Sequence, residues 1–312
     1  MSVEFGMFAE REIVLGLWSV GGDWGPCDAE EAHALVVGAP GLGVRWVDTA
    51  PIYGRGAADR LLARALRELG ADAPRVATKV GPRFEGDHPV CDLSPEHVRR
   101  DLEASLRRLG VEAVGLVQAH WPCERGTPLR ETAEALQALV DEGKAEAWGL
   151  CNHGSASLRY GPASMQLPYS MMRRDIEHDG RLRACRHHGV PVLAYETLAR
   201  GLLGGAYRTL PRLAPTDHRR RDPRFWGARF FHVAQRVALL RQASERWGVP
   251  VAALASGWVL ARPGVRGVLV GARRLEQLRE SVQARRVAGE PPWLATLDRI
   301  AASFGASAQA SR

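Results

Sequence analysis

Eight short apolar runs recur along the 312-residue chain, each four to six residues long, and the longer segments between them often carry helical apolar spacing. The runs are 13–18 (IVLGLW), 44–47 (VRWV), 75–79 (RVATK), 113–118 (AVGLVQ), 145–150 (AEAWGL), 164–167 (SMQL), 190–195 (VPVLAY) and 266–270 (RGVLV). They read as continuous rather than alternating, which is the pattern of parallel strands covered by helices. Helical spacing is clearest over 57–69 and 131–142. Asp28 with Glu31, and Ser94 followed by Pro95, are helix-start signals. An open doubly wound sheet and a closed (β/α)8 barrel both fit this alternation. No G-x-G-x-x-G follows the first run, and residues suited to catalysis follow several runs in succession, so the expectation is an α/β fold: a parallel eight-stranded TIM barrel with its active site at the carboxyl ends of the strands. A chain of this length fits one domain, 1–312, with an irregular Arg- and Pro-rich loop around 205–231.

Charge and cysteine usage exclude several function classes. Lys and Arg exceed Asp and Glu by seven, which favours an anionic ligand over a cationic one. The arginines are spread along the chain and not gathered on one element beside aromatics, so nucleic acid is not an expected partner. Cys27, Cys91, Cys123, Cys151 and Cys185 are odd in number and lack CxxC or paired His spacing, so neither a metal site nor a disulfide framework is expected. Residues 1–6 carry an acidic residue and no long apolar stretch, which points to a cytoplasmic protein with no membrane partner. Oligomeric state is not readable from the sequence.

Four polar residues lie at or just beyond successive runs: Asp48 in VRWVDTAPIYG, Tyr53 five residues on, Lys79 in RVATKVG and His120 in LVQAHWP. At one barrel rim they would form a working set. A phenol with a pKa near 10 is a poor acid at neutrality unless a cation stabilises its phenolate. Lys79 would supply that cation, Asp48 the counter-charge that a desolvated lysine needs, and His120 a partner for a carbonyl oxygen gaining charge. Taken singly, Tyr53 reads more simply as a loop aromatic and His120 as a packing residue. Trp18, Trp121 and Phe84, with Trp226 further along, are placed to wall a substrate pocket, with core packing the competing reading. The run 218–224 (HRRRDPR) reads first as a solvated face, and Cys151 as an inert strand-end thiol with His153 nearby.

The stretches VDTAPIYGRG, ATKVG, QAHWPCERGTPLRETAEALQALVDEGKAEAWGLCN, VLAYETLARGLLGG and VLVGARRLEQLRES occur in the order found in the aldo-keto reductase superfamily. On these stretches the chain resembles that family over about 16–282. The resemblance implies an NADP(H)-dependent oxidoreductase acting on a small-molecule carbonyl or the corresponding alcohol. Tyr53 would be the general acid, Lys79 its modulator, Asp48 the partner of Lys79, and His120 the residue that orients the carbonyl. It also implies that Asn152 and Gln166 hold the nicotinamide carboxamide, that Tyr195 stacks on the ring, and that Leu198, Gly201 and Leu203 lie along the cofactor. Gly271, Arg273, Gln277, Glu280 and Ser281 would form the adenosine-phosphate site, where arginine favours NADPH over NADH.

The chain departs from the family pattern in several places. It has Cys151 where the family usually has Ser, Cys123 where it has Asp, and Glu196-Thr197 where it has Ser-Pro. Gly204-Gly205-Ala206 replaces Thr-Gly-Lys, and Ser281 replaces Asn. The stretch between Asn152 and Gln166 is short for a fifth helix. Two other activities fit the same residues: reduction of a C=C, C=N or activated-sugar intermediate, and a nucleotide-binding subunit without turnover.

Overall fold

Eight parallel strands close into a barrel in a computed structural model that describes residues 6–8, 10–22, 24–86 and 88–305. The barrel strands are β1 (Glu12–Gly16), β2 (Trp46–Asp48), β3 (Arg75–Val80), β6 (Leu116–Ala119), β7 (Trp148–Cys151), β8 (Met165–Pro168), β9 (Val192–Tyr195) and β10 (Val265–Gly271). β4 (Pro82–Glu85) and β5 (His88–Cys91) form an antiparallel hairpin beyond the carboxyl end of β3. Each barrel strand overlaps one of the eight apolar runs. The stretch 1–5, most of the segment read for targeting signals, lies outside the described residues. Among the described residues no helix is long and apolar enough to cross a membrane.

Side chains on a strand alternate between faces, so each barrel strand divides its residues between the helical layer and the barrel interior. Ile13, Leu15, Val47, Val76, Val117, Val192, Val268 and Val270 belong to the large core shared with the helices. Val14, Trp46, Ala77, Leu116, Leu193 and Leu269 form a second cluster with Phe8, whose ring lies 4.9 Å from that of Trp46. This cluster fills the lower interior. The next interior position upward is Asp48 on β2, Lys79 on β3, Gln118 on β6 and Tyr195 on β9. Cys151 and Gln166 share one rung of the β7–β8 pair, and Lys79 pairs in register with Gln118. One pleat period therefore separates an apolar floor from a polar ceiling.

Helix starts follow local chemistry. Asp28 caps Ala29–Gly38 by accepting from the backbone N–H of Glu30 and Glu31, both at 2.9 Å. Ser94 occupies the N-cap of Pro95–Leu109 without a side-chain bond; Asp92 accepts from the Ser94 N–H at 3.0 Å. Between β7 and β8 a 3-10 turn, Ser155–Tyr160, stands where a fifth helix was expected to be reduced. The expected irregular loop around 205–231 is shorter and more ordered. It holds two 3-10 turns, His218–Arg221 and Pro223–Phe225, and the helix Gly227–Trp247 then begins inside the expected range.

The turn that carries Tyr53 is held in an unusual backbone path. Gly54, Arg55 and Gly56 all have positive φ, at 56°, 51° and 84°. A Cβ on Gly54 would press on Gly21, within 2.8 Å of its carbonyl carbon, so both conformation and space require glycine. We expect Gly54→Ala to lower unfolding free energy by roughly 1–3 kcal/mol in urea titrations.

Candidate active site

Asp48, Tyr53, Lys79 and His120 meet at the carboxyl end of the barrel. Lys79 is fully buried and donates to Asp48 Oδ1 and, at 3.0 Å, to the carbonyl oxygen of Thr49. Its Nζ lies 5.0 Å from the centre of the Tyr53 ring. The Tyr53 and His120 rings lie edge to face with centroids 5.9 Å apart. A buried ammonium survives only with its charge and hydrogen bonds satisfied. The second oxygen of Asp48 accepts from Gln166 Nε2 at 3.0 Å and from Gln118 Nε2 at 3.4 Å. Behind this layer Thr49 donates to the buried Asp59 at 2.8 Å, and Arg108 closes that pair at 3.0 Å. The loop between β2 and Tyr53 is thereby tied to the helix Pro95–Leu109.

The electrostatics of the set differ in one respect from the sequence reading. Burial works against the Lys79 ammonium, yet Asp48 holds its pKa above the ordinary lysine value. Burial also raises the Tyr53 phenol; Lys79 opposes this and Asp48 adds to it. The phenol therefore lies above its ordinary value, where Lys79 was expected to bring it below, because desolvation outweighs one shared cation. Such a phenol stays protonated at neutrality. Burial, followed by the Lys79 charge, lowers the His120 imidazole well below 6.5, so the ring is neutral. Its Nδ1 is buried without a hydrogen-bond partner.

A cavity of about 950 Å³ starts at this set and runs across the barrel mouth, at the upper end of small-molecule sites, which span roughly 300–1,000 Å³. Trp18, Trp121 and Phe84 line its near end, with Trp24 and Ile52. Asn152, Gln166, Tyr195, Leu198 and Gly201 follow, and Gly271, Arg273, Gln277, Glu280 and Ser281 line the far end. Leu203 does not reach it: the side chain is fully buried in the helical core. Trp226 also stays outside, half-exposed and bonded to the Arg220 carbonyl at 2.9 Å.

Several of these groups already have internal partners. Asn152, at φ 62°, donates to the His120 carbonyl at 3.2 Å and accepts from the Tyr195 hydroxyl at 2.9 Å. Gln166 spends its amide N–H groups on Asp48 and, at 3.3 Å, on Gln118, which leaves its oxygen as an acceptor. Gln277 turns its oxygen back to the backbone N–H of Arg273 at 2.8 Å and of Arg274 at 3.3 Å. The Arg273 guanidinium is bonded to the carbonyls of Trp24 and Pro26.

The run 218–224 is a solvated face only in part: Arg220, Arg221 and Pro223 are exposed, while Arg219 and Arg224 turn inward. Arg219 lines the cavity, clamped by Asp217 and by the Tyr207 hydroxyl at 2.7 Å. The His218 ring packs against Trp18 at 4.9 Å. Asp222 binds Arg224 and stands 3.5 Å from Arg200, while Glu196 accepts from Arg200 at 2.8 Å and lies 3.9 Å from Arg224. Glu196 is thus paired on both sides, which answers the charge conflict that a carboxylate on an anion-binding wall would create. Cys151 is buried, donates to Gln118 Oε1 at 3.5 Å, and has its thiol raised by burial. His153 bonds the Cys151 carbonyl, not its sulfur. Gln118 was missed in the sequence. Its even spacing from Leu116 and His120, on the strand beside Lys79, is the signal that places it inside.

The family model for the Aldo/keto reductase family matches residues 12–301. The chain belongs to this family. This aldo/keto reductase is 32% identical over 281 residues to aldo-keto reductase YhdN of Bacillus subtilis, covering 88% of this chain and 84% of that one. It is 31% identical over 294 residues to an NADH-specific methylglyoxal reductase of Escherichia coli, covering 88% and 89%. Among solved structures, the glycerol dehydrogenase AKR11B4 of Gluconobacter oxydans superposes with a TM-score of 0.78 at 32% identity, covering 92% of this chain and 91% of that one.

The lowered His120 pKa has a testable sign. Where the native pKa lies below the unfolded one, the native state holds fewer protons between the two values, so stability from the neutral ring is complete above 6.5 and is lost as pH falls through the native value. We expect the His120 ring signals in NMR to show no protonation at pH 6. A His120 midpoint at or above 6.5 would contradict the buried, neutral assignment.

Proposed function

We propose that this protein catalyses reversible hydride transfer between NADP(H) and a small aldehyde or ketone, with Tyr53 as the proton donor. The observation that carries this reading is a protonated phenol set beside a buried ammonium–carboxylate pair and a neutral imidazole, at one end of a cavity of about 950 Å³ that reaches Gly271 and Arg273. The groove suits such a cofactor on chemical grounds: the Gln166 oxygen is an acceptor for an amide, and the Tyr195 ring is a flat wall.

When bound, the nicotinamide supplies a hydride to the carbonyl carbon. The rest of the work falls to this chain. Asn152 and Gln166 would orient the carboxamide, and Tyr195 would cover one ring face. Tyr53 donates its proton to the carbonyl oxygen as negative charge develops there, and Lys79 stabilises the phenolate left behind. Asp48 keeps Lys79 charged throughout. His120, neutral, donates a hydrogen bond to the same oxygen, and Trp18, Trp121 and Phe84 exclude water from the reacting carbon. In the alcohol-oxidising direction the Tyr53 phenolate accepts the proton.

Arg273 and Arg274 at the far end support NADP(H), since a guanidinium binds a dianionic phosphate in two places at once. The Escherichia coli relative is described as NADH-specific, so the choice is tested directly. The five free cysteines suit a reducing cytoplasm.

Two experiments test these assignments separately. We expect Tyr53→Phe to bind NADPH as the parent does, by fluorescence titration, while its turnover of small aldehydes falls by about 10²-fold or more; parent-like turnover would remove Tyr53 from its role. Titrated side by side, NADPH is expected to bind at least about tenfold more tightly than NADH, a difference of about 1.4 kcal/mol, and Arg273→Ala with Arg274→Ala is expected to erase the preference. Equal affinities in the parent would overturn the cofactor choice and leave the Tyr53 test standing.

A further inference from the structure

Two cysteines that the proposed reaction does not use stand on either side of the seam between the β4–β5 hairpin and the loop after His120, each with its sulfur against the other's strand or loop. Cys91 closes β5, is fully buried, and donates its thiol to the Trp121 carbonyl at 3.2 Å. Cys123 is half-buried. Its sulfur accepts from the backbone N–H of Leu93 and of Arg125, each at 3.4 Å, and lies 3.8 Å from the Cys91 carbonyl. The two loops are laced together by Glu124, which accepts from the Cys91 N–H at 2.7 Å and from the Trp121 indole at 3.2 Å. The hairpin carries Phe84 and the loop carries Trp121, both walls of the catalytic end of the cavity.

The environments of the two sulfurs are opposite. Burial acts against a thiolate at Cys123, but the Leu93, Thr127 and Arg125 donors outweigh it and hold the thiol below its ordinary value. Burial pushes the Cys91 thiol up to about 12. One sulfur is thus accessible and disposed to ionise, and its neighbour is enclosed and protonated, which is the division of labour between an attacking and a resolving thiol.

We propose that Cys123 and Cys91 form a hydroperoxide-responsive pair, in which Cys123 is oxidised first and Cys91 then closes a disulfide that fixes the hairpin against the loop after His120. In the first step the Cys123 thiolate attacks a peroxide oxygen and the O–O bond breaks. One proton is taken up, water or an alcohol leaves, and Cys123 becomes a sulfenic acid. In the second step Cys91 loses its proton and its sulfur displaces hydroxide from Cys123, which departs as water. The two sulfurs lose two electrons in total and the peroxide gains them.

The test is peptide mapping of the full-length protein by mass spectrometry, so its outcome does not depend on hydride-transfer activity. Treated with hydrogen peroxide and digested without reductant, the parent is expected to yield a Cys91–Cys123 linked peptide, lighter than its two parts by two hydrogens and released by dithiothreitol. Cys91→Ser, treated with hydrogen peroxide and dimedone, is expected to carry the adduct on Cys123; Cys123→Ser is expected to give neither product. On the untreated parent, iodoacetamide is expected to label Cys123 at least about tenfold faster than the half-exposed Cys27, a comparison that needs no variant to fold. Labelling of Cys27 ahead of Cys123, or a Cys123 adduct in the parent with no linked peptide, would overturn the pair.

Discussion

The buried pair between Lys79 and Asp48 is the interaction on which the rest of the barrel mouth depends. An ammonium and a carboxylate inside a barrel are tolerated only when each remaining donor and acceptor is met, and here Thr49, Gln118 and Gln166 meet them. Those partners come from the loop after β2 and from β6 and β8, so the polar ceiling ties together strands that the apolar floor alone would hold less specifically. Removing one member of such a pair leaves a charge uncompensated and costs about 3–5 kcal/mol in measured cases. The same pair sets the character of the Tyr53 phenol, which sits close enough to Lys79 to feel its charge, yet far enough into the protein to remain neutral.

Much of the scaffold was legible in the sequence because both faces of each barrel strand are covered, which turns a strand into a short unbroken apolar run. Asp48, Lys79 and His120 stood out for the converse reason, since polar groups at the ends of such runs need partners. The β4–β5 hairpin left no comparable trace. Its residues, Pro82–Glu85 and His88–Cys91, are largely exposed, contain two prolines and show no apolar alternation. Gln118 was hidden inside an apolar run by its neighbours, although its parity with Lys79 across the β3–β6 register gave it an interior position. Leu203 was carried onto the cofactor path by resemblance, whereas the turn Ala199–Gly204 buries it in the helical core beside Leu202.

The segment 217–224 shows why composition misleads when charge partners are local. Three consecutive arginines suggest a solvated surface. Asp217 and Asp222, each two residues from an arginine they bind, turn Arg219 toward Trp24 and Arg224 toward Glu196, with His218 on Trp18, and leave Arg220 and Arg221 exposed. Only Arg200 and Glu196, distant in sequence, complete the set. Local pairing is invisible to a charge count, and the long-range pairing depends on Glu196, one of the residues at which the chain departs from the family pattern.

Four of the five described non-glycine residues with positive φ, Asn152, Glu196, Ala199 and Arg200, stand on or beside the groove. Backbone held in that region is disfavoured by about 1–3 kcal/mol per residue and persists only where the surroundings impose it. The rim of this barrel is therefore sculpted before any guest arrives, by ion pairs and packing that overrule local preference. A dinucleotide entering such a groove meets walls already in place, so little of its binding energy is diverted into ordering loops and more remains for aligning the reacting atoms.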